Sequence, residues 1–177
     1  TTELAPSPWN ANRQLLMVGI KGYDVDKAEL PPANLVFLID TSGSMNASNK
    51  LPLLQQSFEM LLDSLQPQDT VSIVAYAGSA GQVLPPTRAS DKAAIMAALD
   101  NLAAGGSTAG AEGLALAYRT AETMAAPGEV SRVLLATDGD FNVGIDDPEA
   151  LKAFIADQRK AGVYLSVLGF GRGNLDD

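Results

Sequence analysis

Two runs of apolar residues, each followed by an aspartate, dominate the pattern of the chain. Residues 35–39, Leu-Val-Phe-Leu-Ile, precede Asp40, and residues 133–137, Val-Leu-Leu-Ala-Thr, precede Asp138. A continuous apolar run of this length predicts a strand buried on both faces, as in a parallel sheet. Ligands of such sheets gather beyond the carboxyl ends of the strands, so we expect both aspartates at one edge.

Apolar residues recur at helical spacing in four other segments, which predicts four amphipathic helices. The four stripes begin at Leu51, Ile95, Leu114 and Leu151; Ser90 is the predicted cap of the second helix, and Gly162 ends the fourth.

Further strands are predicted at 71–76, 81–84 and 163–170, where β-branched and aromatic residues lie between glycines and prolines. The tight connection at 77–80 predicts that the first two pair antiparallel, with the short strand 81–84 at a sheet edge. Together with the aspartate-ended strands, this order predicts an α/β fold. We expect a Rossmann-like, mostly parallel central sheet with helices on both faces and one short antiparallel edge strand.

The organisation predicted is a lead-in followed by one domain. Residues 1–33 are interpreted as an extended N-terminal lead-in with one extra strand, at 14–23, and residues 34–177 as the domain. The first twelve residues contain prolines and small polar residues without periodicity, so no strand is predicted there. Since the chain begins with Thr1, we expect it to be part of a longer protein.

Composition excludes several classes of function. The net charge of −9 and the pI of about 4.4 disfavour nucleic-acid binding, which normally requires a basic surface. No apolar run approaches the roughly 18 residues of a membrane span, so no membrane insertion by this segment is expected. The chain contains no Cys and no His, which excludes thiolate or imidazole metal sites and Ser-His-Asp catalysis within it. Any metal must therefore be bound by oxygen.

Five oxygen-bearing residues form the candidate metal site. Asp40, Ser42 and Ser44 follow the first of the two central strands, and Asp138 follows the second. Thr108 lies in a glycine-rich loop before a helix. Two carboxylates and three hydroxyls fit Mg²⁺ or Mn²⁺ better than a carboxylate-rich Ca²⁺ cage. Neutral hydroxyls donate weakly, so the bound metal would keep an open position for an Asp or Glu side chain of a partner protein.

Two other interpretations of these residues stay open. In the first, Asp40 accepts backbone hydrogen bonds and the serines cap the next helix, without a metal. In the second, Asp40 is the nucleophile of a Mg²⁺-dependent phosphohydrolase, although Ser42 occupies the position where such enzymes carry a second aspartate. Met45 and Tyr76 are candidates for contact with a partner near the metal, and Phe141, in a loop, is a stronger one.

Over residues 34–177 the sequence resembles the von Willebrand factor A domain, which also occurs as the integrin inserted domain. The Asp-x-Ser-x-Ser motif, the later threonine and the later aspartate match all five positions of that family's metal-ion-dependent adhesion site. The resemblance implies a protein-binding module for adhesion or complex assembly rather than an enzyme. By resemblance, Ser42, Ser44 and Thr108 would contact the metal directly, and Asp40 and Asp138 would act mainly through water.

The strings 105–108 and 136–144 look most like the bacterial, envelope-associated branch of that family. This resemblance implies a periplasmic, cell-envelope or extracellular location. The family's last strand and helix are absent after Asp177, so the resemblance also implies a domain that is incomplete at its C-terminus.

Overall fold

The computed structural model describes residues 1–20, 22, 29–106, 110–139 and 148–171. The chain divides into two compact units, Thr1–Leu30 and Pro31–Asp177. Among the described residues, no helix is both long enough and apolar enough to cross a bilayer.

The first unit contains an antiparallel hairpin of β1 (Thr2–Ser7) and β2 (Asn10–Val18). The extra strand predicted at 14–23 is present as β2, although it begins at Asn10 and ends at Val18. Strand β1, inside the segment interpreted as an extended lead-in, was not predicted. Leu16 pairs with Leu4, while its neighbour Met17 pairs with Glu3. Apolar side chains therefore lie on both faces of the hairpin and remain exposed, so the alternation that reveals a half-buried strand is missing.

The second unit contains a five-stranded sheet in the order β5-β4-β3-β6-β7. The parallel strands are β3 (Ala33–Asp40), β4 (Thr70–Tyr76), β6 (Val130–Thr137) and β7 (Val163–Gly169), whereas β5 (Ala80–Arg88) runs antiparallel to β4. This architecture confirms the predicted α/β fold with a mostly parallel sheet and an antiparallel edge strand.

Helices cover both faces of this sheet. They are α1 (Leu51–Ser64), α2 (Lys92–Asp100), α3 (Gly110–Met124) and α4 (Pro148–Lys160). Side chains of β3 alternate between the two cores: Phe37 packs with α1 and α2, and Leu38 packs with α3. Because both faces are buried, β3 appears in the sequence as an uninterrupted apolar run.

Strand β5 is longer than predicted, because it continues through Pro85 and Pro86 to Arg88. The register against β4 shifts on both sides of Ile73, and the hydroxyl of Ser72 donates to the carbonyl of Leu84 at 2.7 Å. Proline is tolerated at a sheet edge and at bulges, since a missing N–H costs little there.

The cap of α2 also differs from the prediction by one residue. Asp91, rather than Ser90, occupies the N-cap position and accepts a hydrogen bond from the backbone N–H of Ala94. Both residue types are good caps, so the sequence alone did not distinguish them.

Candidate metal site

Two buried carboxylates lie at the carboxyl edge of the sheet. Asp40 is the last residue of β3, and Asp138 directly follows β6, the parallel neighbour of β3. Asp40 is 0% exposed and Asp138 is 1% exposed. Two acidic groups buried this completely require compensation, because a carboxylate loses most of its hydration in such a position.

Neutral donors fix the carboxylate of Asp40 on both sides. Its Oδ1 accepts a hydrogen bond from the backbone N–H of Ser42 at 2.8 Å, and its Oδ2 accepts one from the hydroxyl of Thr137 at 3.2 Å. The same hydroxyl of Thr137 accepts a bond from the backbone N–H of Gly139 at 3.2 Å. Thr137 therefore links the chain after β6 to the carboxylate at the end of β3.

The hydroxyls of Ser42 and Ser44 face each other, with their Oγ atoms 3.0 Å apart. A short 3-10 helix, Gly43–Asn46, begins directly after Ser42, and the Ser42 side chain makes no capping hydrogen bond to it. The capping interpretation is therefore supported for Asp40, which accepts the Ser42 N–H, but not for the hydroxyl of Ser42. Ser42 is buried and Ser44 is exposed, so this pair of oxygens extends from the buried aspartates towards the surface.

The glycine-rich loop is tied to the same segment by main-chain bonds. The N–H of Gly105 donates to the carbonyl of Thr41 at 2.7 Å, and the N–H of Gly43 donates to the carbonyl of Gly106 at 3.2 Å. Gly106 has a φ of 91°, and a Cβ there would lie 3.3 Å from the backbone nitrogen of Gly78. Glycine suits this position, since other residues avoid left-handed backbone and the approach leaves no room.

Thr108 lies outside the described residues, as does Phe141. Their assignment as a metal ligand and as a partner contact stays a prediction.

Tyr76, at the end of β4, closes the buried side of the site. Its carbonyl accepts hydrogen bonds from the N–H and the hydroxyl of Thr41 at 2.9 and 3.1 Å. Burial and, next, the negative charge of Asp40 raise the pKa of the Tyr76 hydroxyl well above its usual range. Tyr76 and Met45 are both buried, so the expectation that they contact a partner was wrong.

Sequence reasoning missed Lys50. Its Nζ lies 2.6 Å from Oδ2 of Asp138, and only 12% of its side chain is exposed. Lys50 is the residue before α1, in a segment where a lysine is ordinarily exposed to solvent. The available signal was the residue type, since a lysine stands where a helix start normally prefers Ser, Thr, Asp or Asn.

Sequence reasoning also missed Thr137, because a threonine at the end of an apolar strand is typical of strand composition. Its position immediately before Asp138 was the only indication of a role.

Residues 35–140 match the profile of the von Willebrand factor type A domain. The chain is also 51% identical, over 175 residues, to the uncharacterized protein YfbK of Escherichia coli (strain K12), covering 99% of this chain and 30% of that protein. The chain thus spans less than a third of that relative's length.

Two solved structures resemble the described fold. A von Willebrand factor type A protein from Catenulispora acidiphila has a TM-score of 0.65 at 27% identity, covering 78% of this chain and 33% of that one. An aerotolerance-related membrane protein from Bacteroides fragilis NCTC 9343 has a TM-score of 0.59 at 25% identity, covering 78% and 68%.

Proposed function

The chain belongs to the von Willebrand factor type A domain family, and we propose that it is a Mg²⁺-dependent module that captures a carboxylate of a partner protein. Membership of the family indicates a protein-interaction or adhesion module. The metal and the acidic group of the partner are the parts that we add.

One observation carries the proposal: two buried carboxylates from neighbouring strands lie at the same sheet edge as a facing pair of serine hydroxyls. All of these are hard oxygen donors, which fit Mg²⁺ or Mn²⁺. Ser42, Ser44 and Thr108 would hold the ion directly, and Asp40 and Asp138 would hold it through water. When bound, Mg²⁺ would supply a Lewis-acidic position that attracts an anionic oxygen.

The negative charge of the chain means that an acidic group of a partner would be attracted only at the metal site. With a net charge of −9, the protein as a whole repels acidic partners. A divalent cation held mainly by neutral hydroxyls would make the local electrostatic potential positive, because its direct ligands do not neutralise its charge. Binding of the partner is therefore expected to depend strictly on the metal.

The geometry of Asp40 disfavours the phosphohydrolase alternative. Asp40 is 0% exposed, and each of its oxygens already accepts a hydrogen bond. A nucleophile has to reach the phosphorus of its substrate, whereas this carboxylate is held inside the sheet edge. We propose a binding function and no catalysis.

We further propose that the domain acts at the bacterial cell envelope or outside the cell. The similarity to a membrane protein of Bacteroides fragilis supports this location.

The test is a calorimetric titration of the full-length protein with Mg²⁺ and with Mn²⁺, followed by thermal unfolding with and without chelator. We expect binding of one ion and a rise in Tm, as linkage requires for a ligand of the folded state. Ser42→Ala should abolish both. Ser57→Ala, which removes an exposed hydroxyl from α1, should change neither.

Capture of the partner is tested separately, by comparing its retention on the immobilised protein with and without chelator. Loss of retention in chelator supports the proposal. If neither Mg²⁺ nor Mn²⁺ binds at millimolar concentration, the proposed function is wrong.

A further inference from the structure

Lys50 stands at a position that is unfavourable for a lysine. It is the N-cap of α1, where its side chain makes no capping hydrogen bond, and no acidic residue lies in the first turn. Helix N-termini carry a partial positive charge, so a cation there is repelled rather than attracted. The helix start therefore gives no reason for a lysine.

The contacts of Lys50 are with the metal site instead. Its ammonium lies 2.6 Å from Oδ2 of Asp138. Its aliphatic stem packs over Gly171, since a Cβ at that glycine would lie 3.0 Å from Cε of Lys50. Phe170, the residue before Gly171, donates its N–H to the carbonyl of Thr137 at 2.9 Å. Lys50 is thus seated between the ends of β6 and β7.

This ion pair differs from the others in the described part of the chain. In the other three, the side chains of both partners are between 53% and 79% exposed. Exposed pairs of that kind contribute little to stability. In Lys50–Asp138 the side chains are 12% and 0% exposed, so this pair is largely shielded from water.

We propose that Lys50 is the internal counter-ion of the metal site and competes with the divalent ion for Asp138. This inference rests on the proposed function. A divalent ion held by Asp138 through water would still lie close enough to the ammonium to be repelled, so the ion binds better once Lys50 withdraws from Asp138. Lys50 thereby weakens the affinity for Mg²⁺ and keeps the ion exchangeable.

The test uses Lys50→Met in the full-length protein, which removes the charge and keeps most of the stem. We expect a lower Tm in chelator, because Asp138 loses its ion pair with Lys50. The Kd for Mg²⁺ should fall at least tenfold, and the rise in Tm on adding Mg²⁺ should exceed that of the wild type. Lys50→Arg retains the charge and should keep the Kd close to the wild-type value.

Lys92→Met is the matched control, since it breaks an exposed lysine–aspartate pair with Asp63. It should leave the Kd and the rise in Tm unchanged. A merely structural Lys50 would lower the Tm of Lys50→Met equally with and without Mg²⁺, at unchanged Kd, and this result would overturn the inference. If Lys50→Met is unfolded in chelator, refolding by Mg²⁺ supports the inference and continued unfolding overturns it.

The two proposals fail differently. Equal Mg²⁺ affinity in wild type and Lys50→Met overturns the counter-ion inference and leaves the proposed function standing. Absence of Mg²⁺ and Mn²⁺ binding in both proteins overturns both proposals. Binding by Lys50→Met alone overturns the proposed function of the wild-type protein and still supports the inference that Lys50 opposes the ion.

Discussion

Asp40 and Asp138 stand at the ends of neighbouring strands and are equally buried, but their described contacts are of different kinds. Asp40 accepts hydrogen bonds from a backbone N–H and a threonine hydroxyl, both neutral. Asp138 is paired with the ammonium of Lys50. Neutral donors fix a carboxylate and leave its charge in place, whereas a cation cancels the charge and can leave again. We therefore expect Asp40 to form the fixed part of the candidate site and Asp138 the exchangeable part.

The largest loss of stability is expected from removing the carboxylate of Asp40. In chelator, Asp40→Ala should lower the free energy of unfolding by about 3 kcal/mol, because hydrogen bonds to charged groups contribute roughly 1.5–3 kcal/mol each. Asp138→Ala should cost less, since the released ammonium of Lys50 stands at the end of a long stem and can turn towards water. Urea denaturation measures both variants.

Asp63→Ala removes an exposed carboxylate and should stay within about 0.5 kcal/mol of the wild type. A larger loss for Asp138→Ala than for Asp40→Ala would contradict the distinction between the two aspartates.

The second effect concerns the loop that supports the Asp40 side. Gly106→Ala and Gly128→Ala both force alanine into left-handed backbone, at φ values of 91° and 85°, which costs roughly 1–2 kcal/mol. Only Gly106 has a close neighbour, the nitrogen of Gly78 at 3.3 Å, whereas Gly128 is open. We expect Gly106→Ala to be the less stable variant by about 1 kcal/mol, measured by urea denaturation, and to weaken Mg²⁺ binding in calorimetry.

Gly128→Ala serves as the matched control for strain alone. If both variants lose the same stability and bind Mg²⁺ equally, the contact between the loop and the Asp40 segment has no role in the site.

The smallest effect tests the bond between the two strand ends. Thr137→Val removes the hydroxyl that donates to Asp40 and accepts from Gly139, at nearly constant volume. Loss of about 1 kcal/mol in thermal unfolding is expected, together with weaker Mg²⁺ binding.

Thr120→Val is the control, because the hydroxyl of this buried threonine bonds, among the described contacts, only the carbonyl of Leu116 within its own helix. It should leave Mg²⁺ binding unchanged. Identical Mg²⁺ affinities for the two variants would show that Thr137 does not position Asp40.

Much of the fold could be predicted because burial on both faces leaves a strong signal. Strands β3 and β6 appear as apolar runs, and parallel pairing brings their terminal aspartates to one edge. The hairpin of β1 and β2 could not be predicted in the same way, because its apolar residues occupy both faces and none is buried. Strand β2 was expected as the one extra strand, whereas its partner β1 was not.

Of the candidate site, the sequence predicted that Asp40, Ser42, Ser44 and Asp138 lie at one sheet edge, whereas the contacts that hold them could not be predicted. Asp40, Ser42 and Ser44 belong to a compact spacing, so the chain itself keeps them together. The bond from Thr137 to Asp40 spans 97 positions of sequence, and the pair of Lys50 with Asp138 spans 88. Such contacts depend on tertiary structure, which local pattern and propensity do not encode.

The two prolines of β5 have a consequence for how this domain behaves at high concentration. Strand β5 forms one border of the five-stranded sheet, and exposed borders promote ribbon-like self-association by recruiting further strands. Pro85 and Pro86 supply no N–H groups and interrupt the ladder over two consecutive residues. The β5 border is therefore protected against growth of the sheet by strand addition.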